Sequence, residues 1–243
     1  MCSATGVGTT TLATLPPVWG GVTAPGSTVT VTQAQSAGLP NAPFNIGTAF
    51  RASANATIDG TVVTRDDGPR PGTNYEGVSQ LKPVFRPDGT VTAGNACPLN
   101  DGAAAVLVMS DTKAKQLGLT PLARIVSSGV SGLNPEIMGL GPIEACRQAL
   151  RRADMTIDQI DLVEINEAFA AQVIPSAKHL GIDYDKLNVH GGAIALGHPF
   201  GMTGARIMTT LINGLQHTGK TIGMESMCVG GGQGMAMAIE RLS

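Results

Sequence analysis

Charge is missing from the first fifty residues of this 243-residue chain. All 16 Lys and Arg, all 18 Asp and Glu and all four histidines follow Phe50. Without a charged n-region, Met1–Phe50 does not read as a secretory signal, and the cytoplasm is the expected compartment. Long apolar runs are missing too. The longest, Ala103–Met109, is far short of a membrane span, so no membrane association is expected. The net charge of −2 lacks the basic footprint of a nucleic-acid partner. Cysteines stand alone at 2, 97, 146 and 228, neither a disulfide framework nor a CxxC metal set, and no metal is expected. Aromatics make up only 3% against 32 glycines, which points to tight turns and close backbone approach.

What is present divides unevenly. Met1–Phe50 is rich in Thr, Ala, Gly, Pro and Val and shows no sustained period, so it reads as an irregular leader in which Val29–Gln35 alternates as one exposed strand. From Thr61 the chain reads as α/β, a mixed and mostly buried sheet with helices on its faces. Turns are expected at Asp66–Gly72 and Arg86–Gly89. Ala103–Met109 predicts a buried strand, and Ser110 or Asp111 caps a short helix through Gln116 that stops at Gly118. Ala123–Ser128 predicts a strand. Pro142 opens a helix with the apolar face Ile143, Cys146, Ala149 and Leu150 and with Arg151 and Arg152 at its end. Asp161–Ile165 predicts a strand, Ala168–Leu180 a helix, and Pro199–Leu215 another helix. Thr221–Met227 and Gln233–Ile239 predict two strands around Gly230-Gly231-Gly232, the second buried on both faces.

Three loops carry candidate chemistry. Asn166-Glu167-Ala168-Phe169-Ala170 lies at a strand-to-helix junction, where Asn166 can hold a water or a carbonyl oxygen, or simply cap the helix while Glu167 complements its dipole. Gly191–Gly201 frames His198 with small residues just before a helix, as proton transfer beside a substrate requires; a structural or solvated histidine is the plainer alternative. Cys228-Val229-Gly230-Gly231-Gly232 places a thiol at a strand end beside consecutive N–H groups. That cysteine is nucleophile, proton donor or inert, and the glycines can form an oxyanion hole. His179 and His217 read as solvated, and no zinc-ligand spacing joins Cys228, His198 and His190.

Taken in order, NEAFAAQ, GGAIALGHPFG and CVGGGQG resemble the thiolase family, as do Leu81–Phe85, Thr92–Asn95 and Asp101–Ala105. The resemblance runs from Thr61 to Ser243. It implies a layered thiolase fold in which residues 61–92 are the remnant of a loop domain, 93–121 the end of the N-terminal half and 122–243 the C-terminal domain, with 1–60 an unassigned leader. It implies condensation of two acyl-CoA thioesters or CoA-dependent cleavage of a 3-ketoacyl-CoA. Coenzyme A is then a co-substrate, no cofactor is tightly bound, and the protein is a homo-oligomer. By the same resemblance His198 is the base that activates a catalytic cysteine, and Asn166 positions a water in the first oxyanion hole. Cys228 exchanges a proton with the α-carbon or the CoA thiol, the Gly230 N–H serves a second oxyanion hole, Phe169 lines the acyl pocket, and Cys97 stands near the CoA chain. The family's acyl-accepting cysteine lies in a CSSG- or CGSG-like stretch, which Met1–Gly6 with Cys2 does not reproduce, so the chain is expected to lack that nucleophile. An inactive fragment or a non-catalytic CoA-binding module are the competing readings.

Overall fold

The computed structural model describes residues 68–100 and 102–243, together with the backbone of four short strands nearer the N-terminus. The described residues fall into two compact units, one ending at Thr73 and the other starting at Asn74. In the first, β1 (Thr9–Thr11) pairs antiparallel with β2 (Thr30–Thr32), and β3 (Ala56–Ile58) with β4 (Thr61–Val63). The strand expected at Val29–Gln35 is present as β2; Cys2 lies outside the described residues.

The second unit opens with α1 (Tyr75–Ser79), capped by the Asn74 side chain, which accepts from the Gly77 N–H. At the expected Arg86–Gly89 turn the Gly89 N–H donates to the Arg86 carbonyl. Helix α2 (Asp111–Gln116) has Ser110 as its cap and is followed by Gly118 at φ +65°. The strand expected at Ala103–Met109 does not form. Residues 102–109 have no regular structure, and Leu107 and Val108 are 62% and 68% exposed. An apolar run alone cannot make a strand, which needs a ladder partner, and none reaches this segment among the described residues.

Four strands then build one sheet in the order β5-β8-β7-β6, from β5 (Ala123–Gly132), β6 (Leu162–Ile165), β7 (Ile222–Val229) and β8 (Gln233–Arg241). The β5–β8 and β8–β7 pairs are antiparallel and β7–β6 is parallel. Helices α3 (Gly141–Ala153) and α4 (Ala170–Leu180) cover one face. There Cys146, Ala149, Val173 and Ala177 pack against Val163, Ile165, Met224, Ala236 and Ala238. Helix α3 starts and ends as its sequence dictates, with Pro142 in the first turn and Asp154 in the left-handed conformation after Arg151 and Arg152. It sits very close to β5 because that strand is built of small residues. A Cβ at Gly129 would overlap the Ala145 carbonyl, and the hydroxyls of Ser127 and Ser131 donate to the carbonyls of Ala149 and Gly141 at 2.7 and 2.8 Å.

Helix α6 (Thr203–Thr218) covers the other face, with Met208, Leu211 and Leu215 against Leu162 and Ile239. It lies over β6, β7 and the Ile239 end of β8 and leaves β5 and the Met235 end of β8 open on that side, where an apolar groove of about 730 Å³ opens. Strand β8 is therefore not buried on both faces. Its alanines are buried toward α3, while Met235 is 48% exposed on the groove side. Alternation with small residues marks one covered face, and only the helix packing tells whether the second is covered as well.

Candidate active site

All three candidate loops lie at one end of the sheet. Strand β6 ends at Ile165, and the Asn166 N–H donates to the Ser226 carbonyl of β7 at 2.9 Å, which joins the first loop to the strand carrying Cys228. The loop runs on to Phe169, the cap of α4. Asn166 is thus three residues short of that position and does not cap the helix; it is buried and turned toward His198.

His198 is held from both sides. Its Nδ1 lies 2.7 Å from the Thr203 hydroxyl, and its Nε2 lies 3.3 Å from Asn166 Nδ2. The Thr203 hydroxyl also donates to the Pro199 carbonyl at 2.9 Å. A carbonyl only accepts, so the hydroxyl proton belongs to Pro199 and Nδ1 must carry its own proton toward Thr203. Nε2 is then the lone pair, and Asn166 donates to it. This leaves Asn166 Oδ1 buried with no protein donor among the described residues. Burial, and next the charge of Arg206, hold the His198 pKa below its ordinary value, so the ring is a neutral base. The Phe200 ring packs against it with centroids 4.7 Å apart.

Glu167 does not lie in the first turn of α4 and does not complement its dipole. Its carboxylate accepts from Asn188 Nδ2 at 2.8 Å and from the Ile194 N–H at 3.1 Å. Gly192 makes room for it, since a Cβ there would overlap the carboxylate. Glu167 therefore ties the first loop to the short helix α5 (Ala193–Leu196) that precedes His198.

Cys228 sits near the end of β7, paired in register with Gly234, before the turn Gly230–Gly232 in which all three φ angles are positive. Gly230 is exposed at that turn. The Cys228 thiol is buried, and burial first, then neighbouring Cys97, raises its pKa; it stays protonated at neutral pH. Cys97 arrives on a segment threaded between the first two loops. Its N–H donates to the Ala168 carbonyl at 3.1 Å, Ala96 bridges Phe169, and the His198 N–H reaches the Pro98 carbonyl at 3.4 Å. Its thiol is half-buried and is raised by that burial. Phe169 is partly buried and meets Phe85 edge-on at 6.0 Å. His179, His190 and His217 are exposed and away from this cluster.

Sequence reasoning missed Thr203, Asn188 and a buried charge group of Glu164, Arg206 and Glu225. Thr203 was within reach, as a hydroxyl five residues after His198 in the first turn of a helix. Asn188 sits at φ +48° after a short 3-10 turn and carried no motif.

Comparison with known proteins gives the family. The profile of the thiolase C-terminal domain matches residues 119–241, and that of the thiolase N-terminal domain matches residues 49–112. An acetyl-CoA acetyltransferase of Chromobacterium violaceum is 55% identical over 166 residues, 68% of this chain and 42% of that one. A 3-ketoacyl-CoA thiolase of Idiomarina loihiensis is 55% identical over 185 residues, 74% of this chain and 48% of its own. The crystal structure of human mitochondrial 3-ketoacyl-CoA thiolase in complex with CoA superposes with a TM-score of 0.71 at 47% identity, covering 75% of this chain and 46% of that one. The chain thus spans less than half the length of these relatives. With both domain profiles matched and the site loops at one sheet end, the chain belongs to the thiolase family.

Proposed function

We propose that this chain supplies the acid–base side of an acyl-CoA C-acyltransferase site, with acyl-CoA and coenzyme A as its substrates. The observation that carries this reading is the opposite poise of two groups: His198 is neutral with Nε2 free of a proton, and Cys228 is protonated. An acid and a base with pKa values pushed in opposite directions by burial are what acyl transfer at neutral pH requires.

In this reading His198 Nε2 takes the proton of a thiol that attacks a thioester carbonyl. Asn166 Oδ1, left without a protein donor, accepts from a water whose other proton faces the developing oxyanion. Cys228, once deprotonated, removes a proton from the α-carbon of the second acyl-CoA, and the thiol returns a proton in the reverse direction. The Gly230 N–H serves the second oxyanion, Phe169 forms a wall for the acyl group, and Cys97 stands beside the CoA arm. The acyl-accepting cysteine is not assigned to any residue of 61–243. Residues 61–92 correspond to the loop-domain remnant, 93–121 to the end of the N-terminal half and 122–243 to the C-terminal domain. We place the protein in the cytoplasm as a homo-oligomer. The exposed Leu107, Val108 and Met235 support association of copies.

The test is exchange of the α-protons of acetyl-CoA for deuterium in heavy water, followed by mass spectrometry. It asks for no acyl-accepting cysteine. Exchange above the protein-free rate that disappears in Cys228→Ala supports the reading. No exchange, with CoA still bound, makes the chain a binding module instead.

A further inference from the structure

Behind His198, on the α6 side of the sheet, lie three charged side chains that have no part in the site. Glu164 on β6 and Glu225 on β7 are direct register partners in the parallel pair, so they project from the same face side by side. They are 3% and 9% exposed. Arg206, in the first turn of α6, lies against the same face, with Nε and both Nη atoms buried and unpaired among the described residues; Glu225 Oε2 is buried and unpaired as well. The other charged groups nearby are accounted for. Glu167 is held by Asn188 and Ile194, and at the groove Asp111 pairs with Lys115 and Arg124 with Glu240.

Two carboxylates placed side by side in a buried site cannot both ionise against a single guanidinium without leaving one uncompensated negative charge. One proton shared between them leaves the group neutral. We propose that Glu164, Glu225 and Arg206 form one buried unit that holds a single proton between its two carboxyls at neutral pH, and that Arg206 is the positioning residue that keeps His198 an unprotonated base. Burial raises the proton affinity of both glutamates, and Glu167 adds to it at Glu164. Arg206 pulls against that shift, and the neighbouring Glu164 adds to it at Glu225. The proton belongs to the pair rather than to either residue. Toward His198 the unit therefore presents a guanidinium whose charge is only just balanced, and the nearby cation disfavours imidazolium.

Only the role given to His198 rests on the acyl-transfer reading, and the test uses no acyl-CoA, so the two can fail separately. The chain has four histidines, so their ring resonances are few enough to follow by NMR through a pH titration. Arg206→Met is expected to raise the His198 pKa by about half a unit or more, a threefold change in proton affinity. Arg206→Lys is expected to leave it near wild type. An unchanged His198 in Arg206→Met overturns the positioning role. The shared proton is read separately by infrared spectroscopy, as a carboxylic-acid C=O band present at neutral pH and lost by about pH 9.5. Glu225→Gln leaves Glu164 alone with Arg206, so it is expected to abolish that band while the His198 pKa holds. A wild type without the band, or a Glu225→Gln protein that keeps it, overturns the shared proton. Glu225→Gln is close in volume and charge to the neutral form it replaces, so this arm stands even if Arg206→Met does not fold.

Discussion

Asn188→Ala is the substitution that best measures how the site loops are held. Asn188 lies beside the edge strand β6, and its side chain does what a fifth strand would do. Its Oδ1 accepts from the Ile165 N–H at 2.9 Å, and its Nδ2 donates to the Ile165 carbonyl at 2.9 Å and to Glu167 Oε1 at 2.8 Å. Its own N–H donates to the Val163 carbonyl at 2.9 Å, a bond the substitution keeps. Truncation leaves a buried N–H and a buried carbonyl at Ile165 unpaired, worth about 1–3 kcal/mol for the donor and less for the carbonyl. Alanine at φ +48° adds about 1 kcal/mol of backbone strain. The expected loss is about 2–5 kcal/mol, a large part of a domain's stability. Urea unfolding followed by circular dichroism would show it as a fall in midpoint at constant slope. Asn188→Gly removes the strain and keeps the lost bonds, so it should recover about 1 kcal/mol of the deficit. A loss below about 1 kcal/mol in Asn188→Ala would refute the claim that this side chain finishes the sheet edge.

Thr203→Val removes the acceptor for His198 Nδ1 and is expected to cost about 1–3 kcal/mol in urea unfolding, with Thr203→Ser restoring it. Stability should fall as pH rises from the ordinary carboxyl range toward about 8. The folded state holds a proton between Glu164 and Glu225 that the unfolded chain has already released, and the loss amounts to a few kcal/mol measured by denaturant unfolding across pH; Glu225→Gln should flatten it. His198 acts in the opposite sense. Its folded pKa is lowered, so its contribution is present above the ordinary histidine value and is lost as pH falls below it. In thiol mapping by mass spectrometry, Cys97 should react before Cys228, and Cys146, buried and pushed up to about 12, should stay unmodified in the native state.

The elements that were legible carry their own punctuation. Ser110 before α2, Pro142 and the Arg pair of α3, and the glycines between β7 and β8 each impose a local conformation, and the structure shows each where expected. The candidate loops were legible because Asn166, His198 and Cys228 stand out by residue type against small neighbours. What escaped depends on pairing across the fold. Ala103–Met109 has the composition of a buried strand and no ladder to join. Met235 on β8 has the pattern of a buried face and no helix above it. Glu164 and Glu225 are 61 residues apart in sequence, each alone in an apolar strand, and become a pair only through the parallel register of β6 and β7. No local pattern encodes that register.

Helix α6 ties these observations together. Its first turn presents Thr203 to His198 and Arg206 to the carboxyl pair, while its next turns pin Leu211 and Leu215 onto β6 and β7. The residues that set the histidine's tautomer and its charge environment are thus anchored by the same apolar contacts that cover half of the sheet face. Truncating Leu211, buried to 1% exposure beneath Gly223, is expected to cost about 2–5 kcal/mol. It should also loosen the 2.7 Å contact between Thr203 and His198 Nδ1, although Leu211 touches neither. If the helix is the common lever, Leu211→Ala will shift the His198 titration under conditions where the protein is still folded. If instead the Gly-rich loop positions His198 by itself, stability will drop and the histidine will titrate as in wild type.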